Sequence, residues 1–216
     1  MSSKPFDCQL SGPAGTLEAL FEHPNHEPST VVVLGHPHPQ YGGTMHNKVI
    51  YRAAKTFLKL GFSVLRFNFR GVGKSQGQWD HGKGEREDFL SAIDYAATTY
   101  PGKDLWTAGF SFGAWQALTC GVSDPRVKTL LGIAPPFGRY DLDEVLNNTK
   151  PTHLIHGEQD EIIPLSELQI FYRRINAPKT LTIINAANHL FEGRVAEIDS
   201  AIQNIFKLSA QSGDQA

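Results

Sequence analysis

An α/β fold, with a mostly parallel central sheet and helices on both faces, is predicted by two features of the chain. Short, near-continuous apolar runs at 30–34, 63–69, 104–109, 129–134, 152–156 and 180–184 are what strands covered on both faces require. Helical patterns of apolar residues fall between these runs, and strand–helix alternation leads to parallel pairing. The 216 residues lead us to expect one domain, 1–216, with a sizeable core and no need of covalent staples.

The elements follow in order. Residues 6–21 read as one or two antiparallel edge strands, with Gly12, Pro13 and Gly15 as a turn. After the strand at 30–34, residues 45–60 form a helix that places Val49, Ala53, Phe57 and Leu60 on one face. Residues 85–100 form a second, burying Phe89, Ala92, Ile93, Ala96 and Ala97, and a third follows Ser111. Residues 166–175 open with Ser166 and Gln169 at capping-box spacing. Residues 192–206 set Val195, Ile198, Ile202 and Ile205 at helical intervals, and the small polar segment 209–216 is expected to fray.

Composition excludes several function classes. The 20 basic and 22 acidic residues give a net charge of −2, which offers nucleic acid no electrostatic footing. Two cysteines, Cys8 and Cys120, exclude a disulfide scaffold and an all-cysteine zinc site. The first ten residues carry no apolar leader. The uncharged stretch 105–123 is too polar and too broken by Gly109, Gly113 and Gly121 to span a bilayer. A soluble, cytoplasmic protein acting on a small molecule, with no membrane partner, is expected.

In parallel sheets of this kind ligand chemistry sits at the carboxyl ends of the strands. After the run at 104–109 comes Gly109-Phe110-Ser111-Phe112-Gly113, a G-x-S-x-G pattern at a strand-to-helix junction. A sharp turn there strains Ser111 and lifts its Oγ above the sheet, while side chains at 109 and 113 would collide with neighbouring backbone. The Phe112 amide then points into the site at a helix N-terminus, where negative charge is favoured. A serine hydroxyl needs a base, and the base an orienting acid. The loop after 152–156 carries Glu158, Asp160 and Glu161, and the loop after 180–184 carries His189. Asp160 is favoured as the acid by its place in His156-Gly157-Glu158-Gln159-Asp160; surface solvation is the ordinary role of the two glutamates. His156 ends its strand and braces the loop, and His153 is a packed strand residue. The loop after 30–34 reads Gly35-His36-Pro37-His38-Pro39 and then Tyr41. Proline has no N–H, so His38 is left as the second oxyanion donor.

Two decoys fail. His36, His38 and His46 suggest a metal, but no carboxylate lies between 35 and 47, so no metal site is expected. Gly71-Val72-Gly73-Lys74-Ser75 suggests a phosphate loop, yet Asn68 stands where that motif needs its first glycine.

With these residues placed, the chain resembles the α/β-hydrolase fold superfamily from about residue 12 to 207. It is most similar there to small bacterial hydrolases near the dienelactone hydrolase group. Arg66-Phe67-Asn68-Phe69-Arg70-Gly71 looks like the stretch these enzymes carry after the next strand, with Asn68 where aspartate is common. The resemblance implies Ser111 as nucleophile, Asp160 as acid, His189 as base, the Phe112 and His38 amides as oxyanion donors, and no cofactor. Two departures stand out: dienelactone hydrolase has cysteine at the position of Ser111, and Pro37 replaces the glycine of the usual His-Gly pair. The implied activity is a serine hydrolase cleaving carboxylic esters or thioesters through an acyl-enzyme. A non-catalytic binding protein on the same fold and a serine peptidase are the alternatives. The stretch 135–151 is too short for a cap domain, giving at most a short helix near 142–146 and hence an open site for small acyl groups. His36, Tyr41, Trp115 and Phe137 are expected to line the substrate pocket, with Phe112 and Tyr140 adding to its walls.

Overall fold

In the computed structural model, which describes residues 6–213 and the side chains of 7–206, one sheet holds eight strands in the order β1-β2-β4-β3-β5-β6-β7-β8. The strands are β1 (Phe6–Gly12), β2 (Gly15–Glu22), β3 (Thr30–Gly35), β4 (Ser63–Phe67), β5 (Asp104–Phe110), β6 (Val127–Ile133), β7 (Thr152–Gly157) and β8 (Lys179–Ile184). The first two pair antiparallel across a turn in which Gly12 faces Gly15, and β2 pairs antiparallel with β4. All other pairings are parallel. Every residue of β3, β4 and β7 is buried, as continuous apolar runs demand of strands covered on both sides.

The helices are α1 (Lys48–Lys59), α2 (Lys83–Thr99), α3 (Phe112–Ser123), α4 (Asp143–Leu146), α5 (Leu165–Arg174) and α6 (Glu197–Gly213). On one face α1 and α6 pack Phe57, Ile198 and Ile202 against Val32, Val64 and Ile155 of the sheet. On the other, α2, α3 and α5 cover Val31, Leu65 and Leu130 with Phe89, Leu118 and Leu168. Fully burying one such side chain is worth about 1.5–3 kcal/mol, so these two layers hold the strand ends in place.

The boundaries differ from the sequence reading where a local group intervenes. α1 starts three residues later than expected because the Asn47 Oδ1 accepts from the Val49 amide at 2.9 Å and caps the helix. β4 stops at Phe67, since the Phe69 amide donates to the His36 ring instead of a strand. α5 begins at Leu165 behind Pro164, which leaves Ser166 inside the helix and makes no side-chain cap, so the expected capping box is absent. α6 begins only at Glu197, after positive φ at Phe191 (55°) and Gly193 (70°) has turned the chain. Its helical backbone runs through 209–213 of the segment expected to fray, and 214–216 lie outside the described residues. The glycine turn at 71–75 binds a carboxylate of the protein itself: the Lys74 amide donates to Glu18 Oε2 at 2.9 Å. Among the described residues no helix is long and apolar enough to cross a membrane.

Candidate active site

Four chain segments meet beyond the carboxyl ends of β3, β5, β7 and β8. The backbone at Ser111 is held at φ 54° and ψ −119°, between a strand that extends through the Ser111 amide to the Ile133 carbonyl (2.9 Å) and the start of α3. A Cβ at Gly109 would overlap the Gly113 carbonyl, and one at Gly113 would overlap the Gly35 carbonyl at the end of β3. Glycine is therefore what lets strand, turn and helix close this tightly around a serine in a sparsely populated conformation.

The three residues expected to act together are joined by hydrogen bonds. His189 Nε2 lies 3.0 Å from Ser111 Oγ, and His189 Nδ1 lies 2.8 Å from Asp160 Oδ2. A carboxylate only accepts, so Nδ1 carries the proton and Nε2 is left to accept from the serine hydroxyl. The other Asp160 oxygen accepts from the amides of Ile162 (2.9 Å) and Ile163 (2.7 Å). Burial pushes the Asp160 carboxyl up, but the His189 N–H, the Ile163 amide and the nearby His156 outweigh it, so it sits below the usual carboxylate range. His156 braces this loop as expected, donating from Nε2 to the Ile163 carbonyl at 2.8 Å. The two glutamates are not merely solvated. Glu158 Oε2 accepts from the Ala186 amide at 2.8 Å and Glu161 Oε2 from the His189 amide at 3.2 Å, so both tie down the histidine loop.

The amides of Phe112 and His38 take no partner among the described residues. As the first residue of α3, Phe112 is one of its unpaired donors. His38 opens a single 3-10 turn (Pro39–Tyr41), and its own carbonyl takes the amides of Tyr41 and Gly43, each at 3.1 Å.

A cleft of about 470 Å³ opens over Ser111 and His189. Tyr41 lines it as expected, with Phe112 and Tyr140, but three other expected pocket residues do not. His36 is fully buried: its Nδ1 donates to the Pro37 carbonyl at 2.7 Å and its Nε2 accepts from the Phe69 amide at 3.1 Å, so the ring braces the loop from beneath. Trp115 stacks on Tyr140 at 4.2 Å, with its Nε1 donating to the Asp141 carbonyl, and lies behind the cleft-lining rings of Tyr140 and Phe112. Phe137 is buried against Phe171 at 3.7 Å. In their stead Arg139, Ile162, Ile163 and Leu190 complete the walls. Ile162, Ile163 and Leu190 are signalled in the sequence only by adjacency to the acid and histidine loops, and Arg139 by nothing local. Among the described residues no group of histidine, cysteine and carboxylate side chains could hold a metal ion.

Burial pushes His36 down to about 4, against the Pro37 carbonyl, which favours the protonated ring. An unfolded histidine titrates near 6.5, so this neutral ring stabilises the fold fully above that pH and progressively less as the pH falls toward 4. The stability advantage of wild type over His36→Gln, measured by urea unfolding, should shrink by about 2.5 kcal/mol between pH 7.5 and 4.5. An advantage independent of pH would contradict this account.

A strained serine on a glycine-flanked turn, facing a carboxylate-oriented histidine at the end of a mostly parallel sheet, is the arrangement of an α/β serine hydrolase, and related proteins place the chain in that class. Residues 26–143 match the family model described as serine aminopeptidase, S33, and the chain belongs to that family. It is 33% identical to an uncharacterized protein of Rickettsia prowazekii, over 94% of this chain and 89% of the relative. Among solved structures it is similar to an α/β serine hydrolase without lid from Xanthomonas campestris (32% identity, TM-score 0.86, covering 94% of this chain and 93% of the other). An α/β serine hydrolase homologue from Coxiella burnetii is similar as well (36% identity, TM-score 0.87, 94% and 98%).

Proposed function

We propose that the protein hydrolyses carboxylic esters or thioesters of small acyl groups through an acyl-enzyme on Ser111. The observation that carries this reading is the unbroken hydrogen-bonded sequence from Ser111 through His189 to Asp160. His189 takes the serine proton as Oγ attacks the carbonyl carbon. The oxyanion develops beside the Phe112 and His38 amides. The same proton passes to the leaving alcohol or thiol, and a water then repeats the cycle to release the acid. A purely binding role would not need an acid, base and nucleophile held in this order.

A peptidase acting on free amino termini is disfavoured by charge. Holding an ammonium group calls for an acidic side chain, and among the described residues that line the cleft there is none, whereas Arg139 repels it.

The segment after β6 supplies only α4, so nothing among the described residues roofs the cleft. Tyr41 at its mouth is 86% exposed. Each further buried CH₂ would add about 0.8 kcal/mol, but an open cleft denies a long chain that burial. Fluorophosphonate is expected to label Ser111. Across nitrophenyl esters kcat/KM should peak at acyl lengths of about two to six carbons, as expected once burial stops growing with chain length. A steady rise to dodecanoyl would reveal a deep acyl tunnel and refute the open-site reading.

A further inference from the structure

We propose that Arg139 selects substrates bearing an anionic group, a carboxylate in the simplest case, on the ester that Ser111 cleaves; this rests on the serine esterase reading above. Arg139 is the only side chain of permanent charge among the described residues that line the cleft, and the other walls are largely apolar or aromatic: Tyr41, Phe110, Phe112, Tyr140, Ile163 and Leu190. The residue is deliberately presented. It sits at the tip of a turn whose two flanks are pinned. Phe137 is sunk against Phe171 and Tyr140 is stacked on Trp115, while Gly138 at φ 77° reverses the chain between them. One Arg139 Nη2 hydrogen bond, 3.1 Å to the Ile162 carbonyl, aims the guanidinium across the cleft toward the acid loop. That bond uses one of five donors, and Arg139 makes no ion pair among the described residues. The carboxylates of the facing loop accept from other groups: Glu158 from the Ala186 amide, Asp160 from His189 and Glu161 from the His189 amide. An exposed guanidinium that makes no ion pair, at the edge of a largely apolar cleft, is matched by a carboxylate, which it can bind in two parallel hydrogen bonds.

The test uses two matched pairs of esters, followed by acid release at constant pH. Monoethyl glutarate against ethyl pentanoate places the charge on the acyl side. Butyryl glycolate against ethyl butyrate places it on the alcohol side. In the wild-type protein kcat/KM for the charged member of one pair is expected to exceed its neutral partner about tenfold, mainly through KM, because a charge-assisted hydrogen bond is being added. The ratio should fall as salt is raised. In Arg139→Gln the ratio should drop to about one, and Arg139→Lys should keep part of it, since the charge remains but the fork does not. Fluorophosphonate labelling of Ser111 in each variant reports that the site is folded and assembled. The inference is overturned if both charged esters are no better than their neutral partners, if the preference survives in Arg139→Gln, or if none of the four is cleaved by a protein that the probe labels. Failure of the probe to label wild type would overturn the serine esterase reading itself.

Discussion

Ser111→Ala is expected to lower kcat by about 10³-fold or more and to abolish the fluorophosphonate adduct, with folding intact. Alanine keeps the Cβ that the turn already accommodates and removes only Oγ, whose hydrogen bond to His189 spans 3.0 Å. Ser111→Gly gives a sharper version of the same experiment. The backbone at φ 54° and ψ −119° is costly for any residue with a Cβ, on the order of 1–3 kcal/mol, and glycine removes most of that cost. Part of the gain is returned through the greater freedom of glycine in the unfolded chain, so a net stabilisation of about 1 kcal/mol is expected, with activity as low as in the alanine variant. Urea unfolding of both variants beside wild type is the measurement. Adduct mass on Ser111→Ala equal to wild type would rule Ser111 out as nucleophile. A glycine variant less stable than the alanine variant would show that the turn stores no strain.

The sequence was most informative where function and backbone geometry impose the same residue. Gly109 and Gly113 are glycines because neighbouring carbonyls leave no room for a Cβ, so the turn and the place of its serine could be read without coordinates. The order of acid and histidine loops could likewise be read, because each follows a short apolar strand: β7, buried throughout, and β8, a half-buried, β-branched strand at the sheet edge. The pocket walls were harder. His36, Trp115 and Phe137 follow strands or turns that end at the site, yet tertiary contacts turn them away: the Phe69 amide draws in His36, Phe171 covers Phe137, and Tyr140 and Phe112 stand between Trp115 and the cleft. Nothing local distinguishes Arg139 from the exposed arginines of α5, because its significance lies in reaching the Ile162 carbonyl from a different loop. Capping failed for a related reason. Ser166 and Gln169 have the right spacing, but Pro164 starts α5 before the serine can cap it.

Asp160→Asn should lose activity by about 10⁴-fold, the larger of the two catalytic effects in proportion to the atoms changed. The direction follows from the partners of the two carboxylate oxygens. Oδ1 accepts from the Ile162 and Ile163 amides, so an asparagine must place its carbonyl oxygen there and turn its NH₂ toward His189 Nδ1. Two donors cannot share that contact. The imidazole proton is driven to Nε2, which then faces Ser111 as a donor and can no longer accept the serine proton. Glu158→Gln and Glu161→Gln should remain near wild type, because each glutamate only receives a backbone amide and glutamine keeps an accepting oxygen. Linkage supplies an independent reading. The Asp160 carboxyl is held below its ordinary value despite burial, so its ionised form stabilises the fold above pH of about 4, and that contribution is lost as the pH falls through the folded-state value. Asp160→Asn lacks this titration, and its urea stability should therefore fall less steeply than wild type below pH 4. The assignment of the acid is wrong if Asp160→Asn retains a tenth or more of wild-type kcat, or if either glutamine variant proves the inactive one.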